Sequence, residues 1–272
     1  MVLSRFITKY TSSFKSLPSV ISRIKADNQI PIIDYANENS ENYKKNSDII
    51  REIIKTYPNN TFALKFSSLG CNEYSLKLAE SIIDIGVKNN STIMIDAEQD
   101  SIQKFINTNT DTLIRKYNQE RPVIYKTYQM YRKDGLATLR YDLDKFKSSH
   151  LGIKLVRGAY FNSDSKKGVL FSTKDATDAS FNTALKYFDS QKNENHHMVV
   201  ASHNKQSLKL VETCKHKNIS IAHLLGFSDD VSKAFAEKNY KVYKYLPYGN
   251  YRDTFPYLIR RLYENYPILL HL

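Results

Sequence analysis

The hydrophobic positions of the chain form short apolar runs that alternate with longer amphipathic segments. Runs rich in β-branched and aromatic residues predict eight strands, at residues 30–35, 61–68, 91–96, 122–128, 152–157, 198–202, 219–224 and 241–246. Segments with helical periodicity follow many of them, at residues 48–56, 73–88, 101–119, 177–190, 205–216 and 229–238. Eightfold alternation of strand and helix favours a closed parallel barrel over an open sheet.

The last of these units, residues 241–265, carries the most informative pattern. Its strand is predicted to stop at Leu246, because the turn residues Pro247, Gly249 and Asn250 follow it. The helix that comes next places four side chains on one face at helical spacing: Tyr257, Arg260, Arg261 and Glu264. We therefore predict a single α/β domain, a distorted (βα)8 barrel of the TIM type, whose final helix lies over its carboxyl-terminal face.

The two adjacent arginines have a chemical interpretation. Two guanidiniums that a glutamate can orient are suited to a planar carboxylate, whereas a solvated pair of arginines is the ordinary alternative on a helix. The pair follows a strand that contains Tyr245. Since barrels place ligand groups at the carboxyl ends of their strands, this position favours a ligand site.

The composition fits one globular domain. The 272 residues are 41% hydrophobic and 25% charged, which excludes disordered and collagen-like classes. No apolar run reaches the roughly 20 residues of a membrane span. Cys71 and Cys214 alone make no disulfide framework, so a reducing compartment is the default. The net charge of +12 suits anionic partners, but the spread of the lysines along the chain favours a solvated basic surface.

The first 28 residues are set apart from the barrel, which we place at residues 29–272. This N-terminal arm is basic and contains no acid before Asp27, a composition that resembles a mitochondrial presequence. Its apolar residues Phe6, Tyr10, Phe14 and Leu17 recur at roughly helical spacing, which fits instead a short helix packed on the end of a barrel. Both interpretations stay open, and a cytoplasmic protein is expected if the arm is not a presequence.

An open dinucleotide-binding sheet is the main alternative fold. It requires a glycine-rich phosphate turn after an early strand. The eight glycines never occur as Gly-x-Gly, and no Walker-type loop is present. Any nucleotide cofactor is therefore expected on the loops of a barrel.

Polar side chains lie at or near the ends of the predicted strands. They are Lys65, Asp96, Glu98, Gln129, Lys154, Arg157, Ser202, His203 and Asn204. Strands covered on both sides are normally apolar, because an unpaired buried charge is costly. Taken singly, these groups fit structural ion pairs, such as Lys65 with Asp96, or a satisfied core histidine at His203. Together they predict a lined pocket.

Other chemistries fit parts of this pattern. Asp96 and Glu98 would share a strand face as the acid and base of a glycosidase, although barrel glycosidases usually draw these carboxylates from different strands. The histidines lack a metal-ligand spacing, so no metal site is expected. Lys65 or Lys154 could form a Schiff base in an aldolase-type enzyme. A basic barrel that binds an anionic surface without catalysis is the non-enzyme alternative.

Several motifs resemble the proline dehydrogenase family in order and spacing, over about residues 29 to 265. They include Ile-Asp-Ala-Glu98, Thr-Tyr-Gln129, Leu-Val-Arg-Gly-Ala-Tyr160, Ala-Ser-His-Asn204 and Tyr-Leu-Ile-Arg-Arg-Leu-Tyr-Glu-Asn265. The resemblance implies an FAD-dependent (βα)8 barrel that oxidises L-proline to Δ1-pyrroline-5-carboxylate. It also implies a quinone electron acceptor, peripheral membrane contact, a mitochondrial location on the matrix side of the inner membrane, and no nucleic acid partner.

The resemblance further implies roles for individual residues. The catalytic residues would be Asp96 and Lys154, the latter standing where bacterial members carry an arginine. The substrate would be bound by Lys65, Leu224, Tyr245, Tyr257, Arg260, Arg261 and Glu264. The FAD would be contacted by Ala97, Gln129, Arg157, Gly158, Ala159, Ser202 and His203. Hydroxyproline dehydrogenase is the alternative activity, and a bulky Tyr245 argues against it because family members that accept hydroxyproline tend to carry a smaller residue there.

Overall fold

The computed structural model describes residues 9–36, 42–250, 254–255 and 258–259. Within these ranges eight parallel strands close into a barrel in sequence order. They are β1 Ile30–Tyr35, β2 Thr61–Leu64, β3 Thr92–Ile95, β4 Ile124–Gln129, β5 Leu151–Val156, β6 His196–Ala201, β7 Ile219–Leu224 and β8 Val242–Tyr248. Pairing of β1 with β8, from Ile30 opposite Tyr243 to Tyr35 opposite Tyr248, closes the barrel. The predicted (βα)8 barrel is confirmed.

Helices surround the barrel and connect its strands. They are Leu17–Ala26, Tyr43–Thr56, Ser75–Lys88, Asp100–Tyr117, Gly135–Lys145, Phe161–Asp164, Lys174–Asp189, Lys205–Thr213 and Asp229–Glu237. The helix Gly135–Lys145 has no counterpart among the predicted segments. Its buried face includes the charged Asp142, which interrupts the apolar pattern that helical periodicity relies on.

The hydrophobic core has two layers. Side chains that alternate outward from the strands pack beneath the helices, as Ile33, Phe62 and Ile93 do. Side chains that alternate inward fill the barrel, as Ile32 and Met94 do. This alternation follows from the two-residue period of a strand, and it determines which strand residues can reach the mouth of the barrel.

Two lysines of the strands point outward and are neutralised beneath the helices. The Lys126 ammonium donates to Asp111 Oδ1 at 2.6 Å and to Asp142 Oδ2 at 2.7 Å. The Lys244 ammonium donates to Asp229 Oδ1 at 2.6 Å. Both lysines are buried, and a buried ammonium without a partner would destabilise the fold. The ion pairs with aspartate offset this desolvation cost.

The last strand is longer than predicted, because β8 continues through Pro247 to Tyr248. Proline has no N–H, but its carbonyl still accepts, and here it receives the Ser12 N–H at 2.9 Å. The predicted end of this strand at Leu246 was therefore wrong. The final helix predicted after it, with Tyr257, Arg260, Arg261 and Glu264, lies outside the described residues except for helical pieces at 254–255 and 258–259.

The described part of the N-terminal arm packs on the barrel. The helix Leu17–Ala26 buries Leu17, Val20 and Ile24 in the main core. A helix does pack here, but it begins at Leu17, and the helical spacing predicted through Tyr10 and Phe14 is not formed because residues 11–16 are not helical. A domain boundary at residue 28 stays a prediction. No helix among the described residues is long and apolar enough to cross a membrane.

Candidate active site

A cavity of about 430 Å³ opens at the carboxyl ends of the strands. Its walls include every predicted site residue that the structure describes: Lys65, Asp96, Ala97, Gln129, Lys154, Arg157, Gly158, Ala159, Ser202, His203, Leu224 and Tyr245. The remaining predicted residues, Tyr257, Arg260, Arg261 and Glu264, lie outside the described residues. Of the nine polar residues that formed the strand-end pattern, all but Glu98 line this one cavity.

The inner part of the cavity holds a buried network of two lysines, two aspartates and one tyrosine. The Lys154 ammonium donates to Asp96 Oδ1 at 2.6 Å, and the Lys65 ammonium donates to Asp34 Oδ1 at 2.6 Å. The Tyr245 hydroxyl donates to Asp96 Oδ2 at 2.8 Å. The Lys65 ammonium also lies 3.1 Å from the Tyr245 hydroxyl and 3.4 Å from Asp96 Oδ2. We call these five side chains the inner cluster.

The strand period explains why these residues meet. All five side chains alternate inward: those of β1, β5 and β8 come from the carboxyl-terminal half of the strand, and those that follow β2 and β3 come from the residue just beyond it. The Tyr245 ring lies between the two ammonium groups, with its centroid 4.8 Å from Lys154 Nζ and 5.8 Å from Lys65 Nζ. A ring face in this position adds cation–π attraction to the hydrogen bonds of the hydroxyl. The inner cluster is thus held from several strands at once.

The two aspartates of the inner cluster differ in their electrostatics. Burial by itself raises the pKa of Asp96, but the nearby Lys154 and Lys65 ammonium groups outweigh it and lower that pKa to about 2. At Asp34 burial dominates over Lys65, so its pKa is raised. Asp34 Oδ2 is buried without a hydrogen-bond partner among the described residues. Asp96 is therefore an anion at neutral pH, whereas Asp34 is the aspartate that accepts a proton more readily.

The outer part of the cavity is organised around Arg157. Its guanidinium donates to Asp178 Oδ1 at 2.6 Å, to Ser202 Oγ at 2.5 Å and to Ser207 Oγ at 2.9 Å. It also lies over the Phe181 ring, 4.3 Å from the centroid. A guanidinium has five N–H donors, and these bonds use one on each nitrogen, so both terminal nitrogens keep a donor for a ligand.

His203 is a neutral ring with both nitrogens engaged. Its Nε2 accepts the Leu224 backbone N–H at 3.4 Å, so the proton resides on Nδ1, which lies 2.9 Å from Ser228 Oγ. Burial, reinforced by the charge of Lys244, lowers the pKa of His203 to about 4. His203 is thus a satisfied histidine that also forms part of the cavity wall.

The proposed glycosidase pair is not formed. Glu98 Oε1 accepts the Ser67 backbone N–H at 3.0 Å, and Glu98 does not line the cavity that Asp96 lines. The strand β3 ends at Ile95, so the alternation that would place the two carboxylates on one face does not reach Glu98. Among the described residues, no group of three histidine, cysteine or acidic side chains could hold a metal ion.

Sequence reasoning missed Asp34 and Lys174 as site residues, and it gave Asn204 no role beyond that of a polar residue at a strand end. Asp34 lies inside the strand predicted at residues 30–35, and its bond to Lys65 joins residues 31 positions apart. Lys174 begins the helix Lys174–Asp189 and reaches the cavity only through the fold. Asn204 caps the helix Lys205–Thr213, its Oδ1 accepting two backbone N–H groups at 3.0 Å. An asparagine directly before a helical segment is a local signal of such a cap.

The donor chemistry of the outer part fits a dinucleotide cofactor. Arg157 and Lys174 supply positive charge, and Ser202 and Asn204 supply polar groups; among the residues that the structure describes, no acidic side chain lines this part. Two helices, Lys174–Asp189 and Lys205–Thr213, begin beside it, and helix N-termini favour phosphate groups. Gly158, with φ of 142°, lies against the Tyr131 ring, where a Cβ would come within 2.4 Å.

Comparisons with known proteins identify the family of the chain. The chain matches the family model described as proline dehydrogenase over residues 14–268. It is 34% identical over 242 residues to a hydroxyproline dehydrogenase of Xenopus laevis, covering 80% of this chain and 52% of that protein. It is 33% identical over 208 residues to a mitochondrial proline dehydrogenase 1 of Homo sapiens, covering 69% of this chain and 34% of that protein.

Solved structures give the same fold. Proline utilization A of Bdellovibrio bacteriovorus superposes with a TM-score of 0.84 at 16% identity, covering 95% of this chain and 32% of that one. The chain spans about half the length of the Xenopus relative and about a third of the human one. The family model covers nearly the whole sequence, and we conclude that the chain belongs to the proline dehydrogenase family.

Proposed function

We propose that this protein oxidises L-proline to Δ1-pyrroline-5-carboxylate with bound FAD. The observation that carries the proposal is the inner cluster, a charged and buried network beside an outer part suited to a dinucleotide. A polar network of this kind at the mouth of a barrel is the usual location of a small-molecule site. When bound, the flavin would accept one hydride, which carries both electrons, from the ring carbon next to the proline nitrogen, while the nitrogen loses a proton.

The residues of this chain would bind and orient the substrate. Arg260 and Arg261, with Lys65, would bind the proline carboxylate, because charge-assisted bonds to a carboxylate are strong and directional. Leu224 and Tyr245 would pack on the apolar ring carbons and exclude water from them. Asp96 would hold the hydroxyl of Tyr245 and the ammonium of Lys154 in fixed positions, as it does in the structure.

Lys154 is proposed to place a positive charge near the flavin. Its ammonium is fixed by Asp96 and by the Tyr245 ring rather than by solvent. A lysine acts as a point charge and lacks the planar fork of the arginine found in bacterial members. Its contribution would therefore be electrostatic, without bidentate recognition.

The electron acceptor and the location belong to the same proposal. We infer that electrons pass to a quinone at a membrane, with peripheral contact of the protein, and that the protein is mitochondrial. The names of the Dictyostelium discoideum and Homo sapiens relatives, both proline dehydrogenase 1, mitochondrial, support the location.

The visible spectrum of the purified protein tests the reaction. We expect oxidised-flavin absorbance that bleaches on addition of L-proline without oxygen, because the substrate reduces the flavin. A flavin-containing protein whose spectrum is unchanged by L-proline would contradict the proposal. Borohydride trapping of a substrate on Lys65 or Lys154 would point to the Schiff-base alternative, which requires an unprotonated lysine, whereas both lysines are ion-paired here.

The carboxylate assignment predicts the effect of Arg260→Met and Arg261→Met. Each substitution should raise KM for L-proline by about tenfold or more, since a charge-assisted hydrogen bond contributes about 1.5–3 kcal/mol. The flavin content should not change. Arg252→Met, in the same segment but without an implied role, is the matched control. Wild-type kinetics in both arginine variants would remove the assignment.

Hydroxyproline oxidation is the second candidate function. It is favoured by the Xenopus laevis relative, which is named hydroxyproline dehydrogenase and aligns with 80% of this chain. In the proposed pose the Tyr245 ring would lie where a 4-hydroxyl projects, and two hydrogen bonds of its own hydroxyl fix that ring. Tyr245 should therefore exclude hydroxyproline by steric crowding.

Two substitutions of Tyr245 test this specificity. Tyr245→Ser should lower kcat/KM for L-proline by about 10- to 100-fold through lost packing, and admit trans-4-hydroxy-L-proline relatively better. Tyr245→Phe keeps the ring and should keep the substrate ratio, which separates crowding from the loss of the hydroxyl. The measurement is kcat/KM for both substrates. A ratio that is equal in all three proteins would exclude this role, and a wild type that prefers hydroxyproline would establish the second function.

A further inference from the structure

A short segment at residues 10–12, which we call the strap, lies behind the wall that carries Leu224 and Tyr245. The Tyr10 side chain is 5% exposed, and its ring centroid lies 4.9 Å from that of Phe227. Tyr10, Phe227 and Leu258 form a buried cluster separate from the main core, with Leu224 packed against it. The strap therefore contacts the reverse side of residues that line the cavity.

The strap also completes the hydrogen bonding of β8. The last backbone bond between β7 and β8 is donated by the Leu225 N–H to the Tyr245 carbonyl at 3.0 Å. Beyond this point Ser12 takes the place of β7: its N–H donates to the Pro247 carbonyl at 2.9 Å, and its carbonyl accepts the Gly249 N–H at 3.0 Å. Pro247 and Gly249 are buried, so without the strap their backbone groups would lose these partners.

The wall between the strap and the cavity is one side chain thick. Leu224 and Tyr245 line the large cavity on one side. On the other side they line a void of about 10 Å³, together with Tyr10 and Leu258. A small side chain in place of Tyr10 would enlarge this void and let the wall move away from the substrate.

We propose that Tyr10 is a positioning residue for the substrate pocket, which it stabilises through Leu224, Tyr245 and Leu258 without touching the substrate. This inference rests on the proposed function. The family model begins at residue 14, so the strap lies outside the part of the chain that matches it.

Cleavage of a presequence after residue 26 would delete the strap. A protein that starts at Lys9 should therefore keep a low KM, and one that starts at Phe14 should not.

The experiment compares Tyr10→Ala, Tyr10→Leu and Tyr10→Phe with Tyr240→Ala. Tyr240 is the matched control, because it packs on Phe235 with centroids 5.0 Å apart but lies at the opposite end of β8. The measurements are KM and kcat for L-proline, flavin content, Tm, and hydrogen exchange of the amides at residues 246–250. If the Tyr10→Ala protein fails to fold, the Tyr10→Leu protein provides the same comparison.

We expect Tyr10→Ala to raise KM for L-proline by about tenfold with kcat within about twofold and flavin content unchanged. Tyr10→Leu should raise KM less, and Tyr10→Phe should keep the wild-type KM. Tyr240→Ala should lower Tm without changing KM. An unchanged KM in the alanine and leucine variants, with Tm lowered as in Tyr240→Ala, would overturn the inference. If the wild type fails to oxidise proline, the proposed function fails. In that case hydrogen exchange of the Gly249 amide tests the contact between the strap and β8. Faster exchange in Tyr10→Ala than in the wild type would support the inference, and unchanged exchange would overturn it.

Discussion

Replacing Asp96 with asparagine is expected to lower kcat/KM for L-proline by at least about a hundredfold while the barrel stays folded. Asp96 accepts from Lys154 at 2.6 Å and from Tyr245 at 2.8 Å, and its Oδ2 lies 3.4 Å from the Lys65 ammonium. Each lost charge-assisted bond costs about 1.5–3 kcal/mol, and two such bonds set the expected size. Steady-state kinetics and flavin content are the measurements.

Asp142→Asn is a matched control for this substitution. Asp142 is also buried and accepts from Lys126 at 2.7 Å and from the Tyr128 hydroxyl at 2.8 Å, but it lies outside the barrel. It should lower Tm while leaving kcat/KM for L-proline near the wild-type value. Equal losses of activity in the two variants would mean that Asp96 acts only through stability.

The pH dependence of stability provides a second measurement on the same variant. The two lysines lower the pKa of Asp96 to about 2, below its ordinary value of about 4. The stabilising effect of the carboxylate is therefore fully present above about pH 4 and is lost as the pH falls towards 2. The Tm difference between wild type and Asp96→Asn should shrink over this window. A constant difference would exclude a lowered pKa at Asp96.

Replacing Arg157 with methionine is expected to release the flavin. The guanidinium is held by Asp178, Ser202 and Ser207, and its remaining donors are available to an anionic ligand in the outer part. Loss of one such contact costs about 1.5–3 kcal/mol, so the Kd for FAD should rise by roughly 10- to 100-fold. Flavin content after gel filtration and FAD titration of the apoprotein are the measurements.

Arg140→Met is a suitable control for the arginine variant. Arg140 also lies over an aromatic ring, that of Tyr187 at 4.8 Å, but it is exposed and does not line the cavity. It should retain its flavin. An Arg157→Met protein that binds FAD as tightly as wild type would place the phosphate-binding donors elsewhere in the cavity, with Lys174 the first alternative.

Much of the fold could be predicted because its signals are local. A strand shows as a short run of β-branched and aromatic residues, and β1 and β7 begin and end where the sequence predicted. The pocket residues were recognisable because charged side chains such as Lys65, Asp96 and Lys154 interrupt predicted strands that are otherwise apolar. Helix ends were less accurate, since Asn42 caps its helix well before the predicted start at residue 48.

The sequence by itself determined that this chain forms a closed barrel with polar groups at the strand ends, since alternation and strand-breaking charges are properties of neighbouring residues. Only the tertiary structure decided which side chains and backbone groups pair with one another. Lys126 and Lys154 look alike in sequence, yet one faces the helices and the other the cavity, because strand pairing fixes which face each alternate residue takes. The pairing of Lys65 with Asp34, and of Ser12 with Pro247, joins residues that only closure of the barrel brings together.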